Sequence, residues 1–344
     1  MPREPLTYAQ AGVDVEAGDR AVSLMRAAVE ATHGPRVLGG IGGFAGLWRL
    51  AGGLGRGGVG ADPVLAAASD GIGTKLLVAQ ALDRHDTVGI DLVAMVVDDV
   101  VVPGAEPLFV LDYLAVGRVD PDRVAAIVAG VAEGCRLARC ALLGGETAEH
   151  PDAMDPDAYD LAGFAVGVVD RDRLLGPDRV AAGDVLLGLA ASGLHSNGFS
   201  LARRVLARAG IGYERDLAEL GAPVGEVLLT PTRIYAPALV DLLGTGIEVH
   251  ALCHITGGGL PGNLPRCLPP TLTARVDRGS WAPPPIFQVL ADLGPIEDEE
   301  LARATNLGVG MVVVLPAAEA ERAAAFLSDR EVPTWVMGEV VVGG

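Results

Sequence analysis

Aromatic residues, cysteine and lysine are scarce in this 344-residue chain, and long apolar runs are absent. Because only 4% of the residues are aromatic, the core must be built mainly from alanine, valine, leucine and isoleucine. The four cysteines form no Cys-x-x-Cys pair, which is typical of reduced thiols that pack as small apolar side chains. No apolar run reaches the roughly 18 residues of a membrane-spanning helix, and residues 1–10 lack a secretion core. These absences predict a cytoplasmic protein.

Positive charge is also in short supply, because the formal net charge is −18 at pH 7. An acidic surface repels phosphate backbones, so the composition argues against nucleic acid as a partner. A phosphorylated small substrate would need a site that is locally positive or that holds a metal ion. Lys75 is the one lysine among 26 basic residues. It is either a chance survivor of a bias toward arginine or a position that needs a compact ammonium group.

Half of the residues are apolar, and the chain is long enough for two domains of ordinary size. Hydrophobic periodicity predicts strands and helices that alternate through both halves. Strands are predicted at 63–70, 107–116, 141–143, 164–169, 185–190, 248–255, 271–276, 309–315 and 334–342, and helices at 91–102, after Asp120, and at 199–209, 285–293 and 317–330. The glycine-rich stretch 38–60 is predicted to be a loop, and the charged stretch 170–183 marks a boundary. The sequence therefore predicts two α/β domains, over residues 1–170 and 171–344.

Familiar nucleotide-binding and catalytic patterns are weak or absent. Gly-x-Gly-x-x-Gly begins at Gly53, Gly55 and Gly257, but none of the three lies between a strand and an uninterrupted helix. The Walker pattern does not occur, so any ATP site here is not a P-loop. A nucleophile elbow at Ser196 is excluded because Leu194 stands where that motif needs glycine. Zinc at residues 250–254 is disfavoured, since adjacent strand residues face opposite sides.

The segment DGIGTK, from Asp70 to Lys75, is the first candidate site, and it follows a predicted buried strand. Gly71 and Gly73 let backbone N–H groups approach an anion closely. Asp70 offers the hard oxygen that Mg²⁺ prefers, and Lys75 can meet phosphate oxygens as a point charge. Spacing alone is equally compatible with a simple strand-to-helix turn.

Three carboxylates on the helix that follows form the second candidate. Asp91 and Asp98 are seven residues apart and project to nearly the same side, and Asp99 flanks them. Mg²⁺ bound with a nucleotide needs only one or two protein carboxylates, because phosphates and water supply the other ligands. The alternative is that these side chains are merely solvated.

Four more polar or glycine-rich stretches are candidate site loops. In GGETAE, residues 144–149, Glu146 and Glu149 could hold a metal ion or substrate hydroxyls. SGLHSNG, residues 192–198, ends a strand and opens a helix, and a helix N-terminus of this kind favours a phosphate group. The other two are HITGGG at 254–259 and NLGVGM at 306–311.

Taken together and in order, these stretches resemble one family, the phosphoribosylformylglycinamidine cyclo-ligases, also called aminoimidazole ribonucleotide synthetases. The matching stretches are LTY, AGVD, GGIGGF, DGIGTK, HDTVGIDLVAM, GAEPLFVLDY, GGETAE, SGLHSNGFSL, LTPTRIY, HITGGGLPGN and NLGVGM. The similarity covers nearly the whole chain. Each stretch alone is only moderately specific, whereas the combination is highly specific.

The resemblance implies an N-terminal and a C-terminal α/β domain in each chain, with two chains pairing through their N-terminal sheets into a closed barrel. It implies that ATP phosphorylates the formyl oxygen of formylglycinamidine ribonucleotide, which turns a poor leaving group into a good one. The amidine nitrogen then attacks the activated carbon, the imidazole ring closes, and ADP and phosphate leave. The implied cofactors are ATP and Mg²⁺, and the implied assembly is a homodimer.

The same resemblance implies roles for individual residues. Mg²⁺ contacts are expected at Asp70 and Asp99, with Asp91 a weaker candidate. Lys75 is expected to meet phosphate oxygens, and His195 is expected to contact the substrate or a phosphate, with proton transfer as a second candidate role. A mobile cover over the nucleotide is expected at residues 39–44. The expected nucleotide contacts are Gly40, Gly42, Gly43, Phe44, Asp70, Gly71, Gly73, Thr74 and Lys75, and the expected substrate contacts are Glu146, Thr147, Ser196, Asn197 and His254.

This chain departs from the family pattern at two places, where Thr305 replaces an aromatic residue and where residues 52–60 form a glycine tract. Two alternatives remain open at this point. The first is a sister activity on the same fold, namely formylglycinamidine ribonucleotide synthetase, selenophosphate synthetase or thiamine-phosphate kinase. The second is a non-catalytic nucleotide-binding regulator, which would be expected to have lost Asp70, Lys75 or His195; all three are present.

Overall fold

The computed structural model describes residues 7, 35, 37–38, 44–50 and 62–343. These residues form two principal sheets with helices packed against them, which agrees with the predicted mixed α/β class. Strands β1 to β6 are Val37–Leu38, Gly46–Arg49, Pro63–Gly71, Glu106–Val116, Ala141–Glu149 and Tyr159–Asp170. Strands β7 to β13 are Val185–Ala190, Asp216–Leu217, Ala222–Pro223, Ala251–His254, Leu272–Val276, Val309–Leu315 and Thr334–Val342. The helices, α1 to α10, are Leu76–Leu82, Val88–Val101, Pro121–Leu137, Phe199–Ala209, Val224–Leu228, Ala236–Leu243, Gly259–Asn263, Pro285–Leu293, Asp298–Ala304 and Ala320–Ser328.

The first sheet has the strand order β1-β2-β3-β6-β4-β5 and covers residues up to Asp170. Only β4 and β5 run parallel, and helix α3 connects them, as a parallel crossover requires. Asp120 accepts hydrogen bonds from the N–H groups of Asp122 and Arg123, so the predicted N-cap of this helix is confirmed. The period of two in β3 buries Val64, Ala66 and Ala68.

Helix α2 lies at the centre of the molecule, and most of its surface is buried. It packs on β3 and β6 of the first sheet on one side and on α6 and β10 of the second half on the other. A helix that is apolar nearly all round, such as VGIDLVAMVVDDVV, is typical of this position. Gly89 lets α3 approach closely, because a Cβ there would lie 2.1 Å from the backbone nitrogen of Val131. The carboxylates of α2 are therefore placed between the two halves.

The second sheet is antiparallel throughout and has the order β10-β12-β7-β13-β11. Strand β12 is buried along its whole length, which its run of VGMVVVL predicts. One apolar core includes residues of both sheets, such as Val64 and Val313, so the two halves share a continuous interior. Among the described residues, no helix is long and apolar enough to cross a bilayer.

Several element predictions need correction. GGETAE is not a loop, because β5 continues through it to Glu149 in register with β4. The stretch 38–60 is not entirely loop either, since Gly46–Arg49 pairs with β3. Five helices were not predicted, namely Leu76–Leu82, Val224–Leu228, Ala236–Leu243, Gly259–Asn263 and Asp298–Ala304. Four of these five have at most seven residues, which is too short for a helical period to stand out.

Candidate active site between the two sheets

Lys75 connects the DGIGTK segment to the second half of the chain. Its ammonium nitrogen lies 2.8 Å from Asp91 Oδ1, 3.0 Å from the carbonyl oxygen of His195 and 2.8 Å from that of Thr230. An ammonium group has three N–H donors, so these three acceptors use all of them. The Nζ atom also lies 5.4 Å from the centre of the Phe199 ring. Lys75 is thus fully buried and fully bonded within the protein.

This geometry differs from the expectation that Lys75 faces phosphate oxygens. The side chains of Lys75 and Asp91 are both 0% exposed, so a phosphate contact would require breaking one of the three bonds. Asp91 was expected as a weaker metal ligand, but its Oδ1 already accepts from Lys75 and from the N–H and hydroxyl of Thr232. The structure therefore places both residues in an internal ion pair that joins the two halves.

Asp98 lies further along α2 than Asp91, and it also bonds to groups of the second half of the chain. Its carboxylate accepts hydrogen bonds from the backbone N–H groups of Tyr235 and Ala236, at the start of α6. Burial raises the pKa of Asp98 to about 7, although the charge of His254 and these hydrogen bonds oppose the shift. Asp98 thus anchors α6 to the central helix.

Asp70, Asp99 and His254 form a second charged group, called here the carboxylate cluster. Asp70 lies two residues beyond Ala68 on β3, so its side chain is on the face that carries α2. Asp99 Oδ1 lies 2.8 Å from His254 Nδ1, which β10 brings in from the second sheet. Burial raises the pKa of Asp70, and the nearby charge of Asp99 raises it further. Three elements from both halves therefore converge here.

Burial lowers the pKa of His254, but the hydrogen bond and the charge of Asp99 outweigh that effect and raise it overall. The charges of Asp98 and Asp70 act in the same direction. The other ring nitrogen, Nε2, is buried and has no partner among the described residues. The cluster is thus rich in negative charge and leaves one buried ring nitrogen unsatisfied within the described part of the chain.

The carboxylate cluster suits a cation that arrives with other ligands. Within the described part of the chain, no group of three or more histidine, cysteine or acidic side chains has the arrangement of a complete metal site. The pKa of Asp70 is raised by burial and further by the charge of Asp99, and a cation between the two side chains would favour the charged form of both. Mg²⁺ commonly binds one or two carboxylates together with nucleotide phosphates. Asp70 and Asp99 fit that pattern better than the enclosed Asp91 does.

The turn that holds His195 lies beside both charged groups. His195 is fully buried and adopts a left-handed backbone conformation, with φ of 63°. Its Nε2 accepts a hydrogen bond of 3.1 Å from the backbone N–H of Ser192. Its Nδ1 is buried and meets no partner within the part of the chain that the structure describes. Ser196 contacts Thr232, with 3.3 Å between the two hydroxyl oxygens.

A glycine-rich loop at residues 256–259 faces the His195 turn. The side-chain oxygen of Asn197 lies close to Gly257, since a Cβ added there would be 3.3 Å from it. Asn263 holds this loop by donating to the carbonyl oxygens of Gly257 and Gly259, at 3.1 and 2.9 Å. Arg266 donates to the Asn263 side chain and lies 3.7 Å from the centre of the Phe44 ring. Phe44 was expected to border the nucleotide. It contacts Arg266, which in turn holds Asn263 beneath this loop.

Other expected site residues are placed less directly. Thr74 contacts Ser200 at the start of α4, with 3.0 Å between their hydroxyl oxygens. Glu146 and Thr147 lie on β5, three strands away from Gly71, which is about 14 Å at ordinary strand spacing. Gly40, Gly42 and Gly43 lie outside the described residues.

Four residues of the site were not singled out from the sequence. Thr230 and Thr232 bond Lys75 and Asp91, and Tyr235 donates a 2.7 Å hydrogen bond to the carbonyl oxygen of Ala190. Gly310 leaves space for two rings, because a Cβ there would lie 2.1 Å from Tyr235 Oη and 2.5 Å from His195 Cε1. The LTPTRIY stretch was the available signal for the first three.

Comparisons with known proteins place this arrangement in a family. Residues 57–169 match the family described as AIR synthase related protein, N-terminal domain, and residues 181–344 match its C-terminal domain. The phosphoribosylformylglycinamidine cyclo-ligase of Sorangium cellulosum is 54% identical, over 98% of this chain and 96% of that protein. The enzyme of the same name from Geobacillus kaustophilus is 50% identical, also over 98% and 96%.

Solved structures show the same fold at lower identity. AaThiL, crystallised with AMPPCP and TMP, superposes with a TM-score of 0.62 at 15% identity, over 94% of this chain and 90% of that one. An identity this low establishes the fold and nothing finer. The matches over both halves, with identities of 50% and above to full-length relatives, show that this chain belongs to the phosphoribosylformylglycinamidine cyclo-ligase family.

Proposed function

We propose that this protein catalyses the ATP-dependent cyclisation of formylglycinamidine ribonucleotide to 5-aminoimidazole ribonucleotide, a step of purine synthesis. ATP transfers its terminal phosphoryl group to the formyl oxygen, the amidine nitrogen attacks the activated carbon, and phosphate leaves as the ring closes. The observation that carries the proposal is a direct contact between the two main family motifs. Lys75 of DGIGTK donates to the His195 carbonyl oxygen of SGLHSNG, so the structure brings both motifs to one place.

The carboxylate cluster is the proposed site of the nucleotide's magnesium ion. Asp70 and Asp99 would hold Mg²⁺, and His254 would orient Asp99 through its 2.8 Å hydrogen bond. When bound, Mg²⁺ would neutralise charge on the transferring phosphoryl group. Gly71, Gly73 and Thr74 follow Asp70 directly and are proposed to line the phosphates with backbone N–H groups.

The protein's own residues are proposed to act mainly by positioning. The Lys75–Asp91 pair fixes the His195 turn and the Thr230–Thr232 segment relative to the central helix. Asn197 and the loop at 256–259 face each other and are proposed to hold the ribonucleotide. Lys75 therefore serves the reaction by holding the site in place, rather than by touching the phosphates.

Homodimer formation is proposed through the outer face of the first sheet. Leu111 and Phe164 are paired across β4 and β6 and are 38% and 41% exposed. Tyr113 and Leu143, at 44% and 63%, extend this apolar surface. A second copy of the sheet would cover it. Glu146 pairs with Tyr113 on this face. If Glu146 contacts the substrate, it would therefore contact the substrate of the second copy. Analytical ultracentrifugation measures the expected dimer directly.

The test of the proposed function is ADP formation that depends on formylglycinamidine ribonucleotide. The purified protein should release ADP and phosphate with this substrate and Mg²⁺, and the aminoimidazole product should appear in equal amount. Formylglycinamide ribonucleotide with glutamine, selenide and thiamine monophosphate serve as control substrates. Turnover with one of these instead would assign a sister activity. ATP binding without any turnover would assign a regulator.

A further inference from the structure

We propose that His195 acts as a neutral hydrogen-bond donor through Nδ1, directed at an oxygen atom of the bound ribonucleotide, and does not carry a proton during ring closure. This inference rests on the proposed function for the identity of the ligand. The protonation pattern of the ring rests on the structure alone. His195 is thereby assigned as a contact residue and not as a proton carrier.

The hydrogen bond from Ser192 determines which nitrogen of His195 is the acceptor. A backbone N–H can only donate, so the nitrogen it meets must accept. Nε2 of His195 lies 3.1 Å from the Ser192 nitrogen, and it must therefore present a lone pair. A neutral imidazole carries its single hydrogen on the other nitrogen. Nδ1 is thus the N–H group of this ring.

The surroundings fix the ring in this orientation. A ring flipped by 180° would exchange Nε2 for the Cε1 carbon and leave the Ser192 N–H facing a C–H group. Cε1 is also enclosed, since a Cβ on Gly310 would lie only 2.5 Å from it. The neighbouring Tyr235 is held by the Ala190 carbonyl oxygen and lies 6.1 Å from His195 between ring centres. The bond from Lys75 to the His195 carbonyl oxygen fixes the left-handed backbone.

The charges around the ring favour its neutral form. Burial lowers the pKa of His195 well below its ordinary value, and the positive charges of His254, Lys75 and Arg233 lower it further. An imidazolium would also lose the Ser192 bond, because both of its nitrogens would then be donors. Proton transfer to Nε2 therefore conflicts with both the hydrogen bond and the electrostatics.

Nδ1–H is then a buried donor that has no partner among the described residues. A buried donor without an acceptor is costly, and such groups are commonly met by a ligand. The donor can pair with a phosphate, hydroxyl or carbonyl oxygen, but not with an amine hydrogen. It lies in the same turn as Asn197, beside the loop at 256–259. The ligand atom that it meets must be an acceptor, and we assign this acceptor to an oxygen of the substrate.

The first test reads the tautomer without substrate. Protein labelled with ¹⁵N-histidine is examined by two-bond ¹H–¹⁵N correlation spectra between pH 6 and 8, and His195→Asn identifies the resonance. We expect Nδ1 to be protonated and Nε2 unprotonated throughout this range. A hydrogen on Nε2, or an imidazolium within the range, would overturn the assignment. This readout is independent of turnover, so it stays decisive if the proposed substrate fails.

The second test compares His195→Asn with His195→Asp, two side chains of equal shape that both tolerate a left-handed backbone. The asparagine amide can place an N–H near the position of Nδ1, whereas aspartate can carry a proton but offers no N–H. We expect His195→Asn to keep kcat/KM within about 10-fold and His195→Asp to lose about 10²–10³-fold, the effect of removing one active-site donor. Melting temperatures establish that both variants fold. Higher activity of the aspartate variant would show proton transfer and refute the donor role.

Discussion

Helix α2 carries two acidic sites that look alike in the sequence and differ in the structure. At Asp91, Lys75 and Thr232 occupy the carboxylate, and the pair is sealed from solvent. At Asp99, the carboxylate contacts His254, and its charge adds to the effect of burial in raising the pKa of Asp70. At the first site Lys75 uses all three of its donors and only Asp91 Oδ2 lacks a partner among the described residues, whereas the second site brings two carboxylates together around one histidine. A buried ion pair joins the two halves of the protein, whereas two carboxylates that no cationic side chain neutralises fully can bind a cation.

The largest effect is expected from Lys75→Met, which removes the cation of the buried Lys75–Asp91 ion pair. Removing one partner of a buried ion pair leaves the other charge uncompensated, which costs about 3–5 kcal/mol. The His195 and Thr230 carbonyl oxygens also lose their donor, so turnover should be abolished. Urea unfolding and ADP release measure the two losses. The double variant Lys75→Met with Asp91→Asn should recover part of the stability, and unchanged stability of the single variant would contradict the structural role.

Asp99→Asn removes the charge of one carboxylate in the carboxylate cluster, and it should lower activity much more than stability. We expect a loss of about 10²–10³-fold in kcat/KM, because charge stabilisation at the nucleotide is reduced. The free energy of unfolding should change little, since the asparagine oxygen can still accept from His254, and relief of the repulsion with Asp70 offsets the lost charge interaction with His254. Asp122→Asn, at an exposed position on α3, is the matched control. A variant that unfolds more readily while keeping its turnover would reverse the roles of the two sites.

Gly310→Ala tests how tightly the sealed region constrains His195. The added Cβ would collide with Tyr235 Oη and His195 Cε1, so we expect a stability loss of about 1–3 kcal/mol from overpacking. Activity should fall as well, because the ring of His195 must move. Gly262→Ala is the control, since a Cβ there meets nothing within 4 Å. Equal melting temperatures for the two variants would show that the site adapts easily.

The smallest effect is a pH dependence of stability from His195. Its pKa is depressed in the folded protein and near 6.5 in the unfolded chain. The unfolded state therefore binds more protons below pH 6.5, and stability from this residue is complete above that pH and falls as the pH drops. We expect about 1 kcal/mol less stability at pH 5.5 than at pH 7, through this residue alone. His195→Asn should remove that difference in urea unfolding curves, and an unchanged difference would contradict the shift.

Local patterns in the sequence predicted most of the regular structure. The periodicities of residues 63–70 and 199–209 match β3 and α4 almost residue for residue, because their apolar faces are set by the chain itself. GGETAE was misread because its glycines resemble a loop, whereas its strand depends on β4, about 30 residues earlier in the chain. Strand pairing of this kind has no local signature.

The site was predicted in part. Asp70, Asp99, His195 and His254 could be named from motifs, and they do converge. Two of the three partners of Lys75 lie 120 and 155 residues away in sequence, so the sequence could suggest that this position needs an ammonium group but not which groups it bonds. The different surroundings of Asp91 and Asp99 could not be predicted, since burial depends on the second half of the protein.

The comparison of the two sites is tested most directly by a crystal structure with Mg²⁺ and a non-hydrolysable ATP analogue. We predict a metal ion about 2.1 Å from oxygens of Asp70 or Asp99 and from the nucleotide phosphates. The Lys75 ammonium should keep its contacts with Asp91, His195 and Thr230. A structure in which Lys75 leaves Asp91 to bind phosphate, with no metal ion at Asp99, would contradict the account.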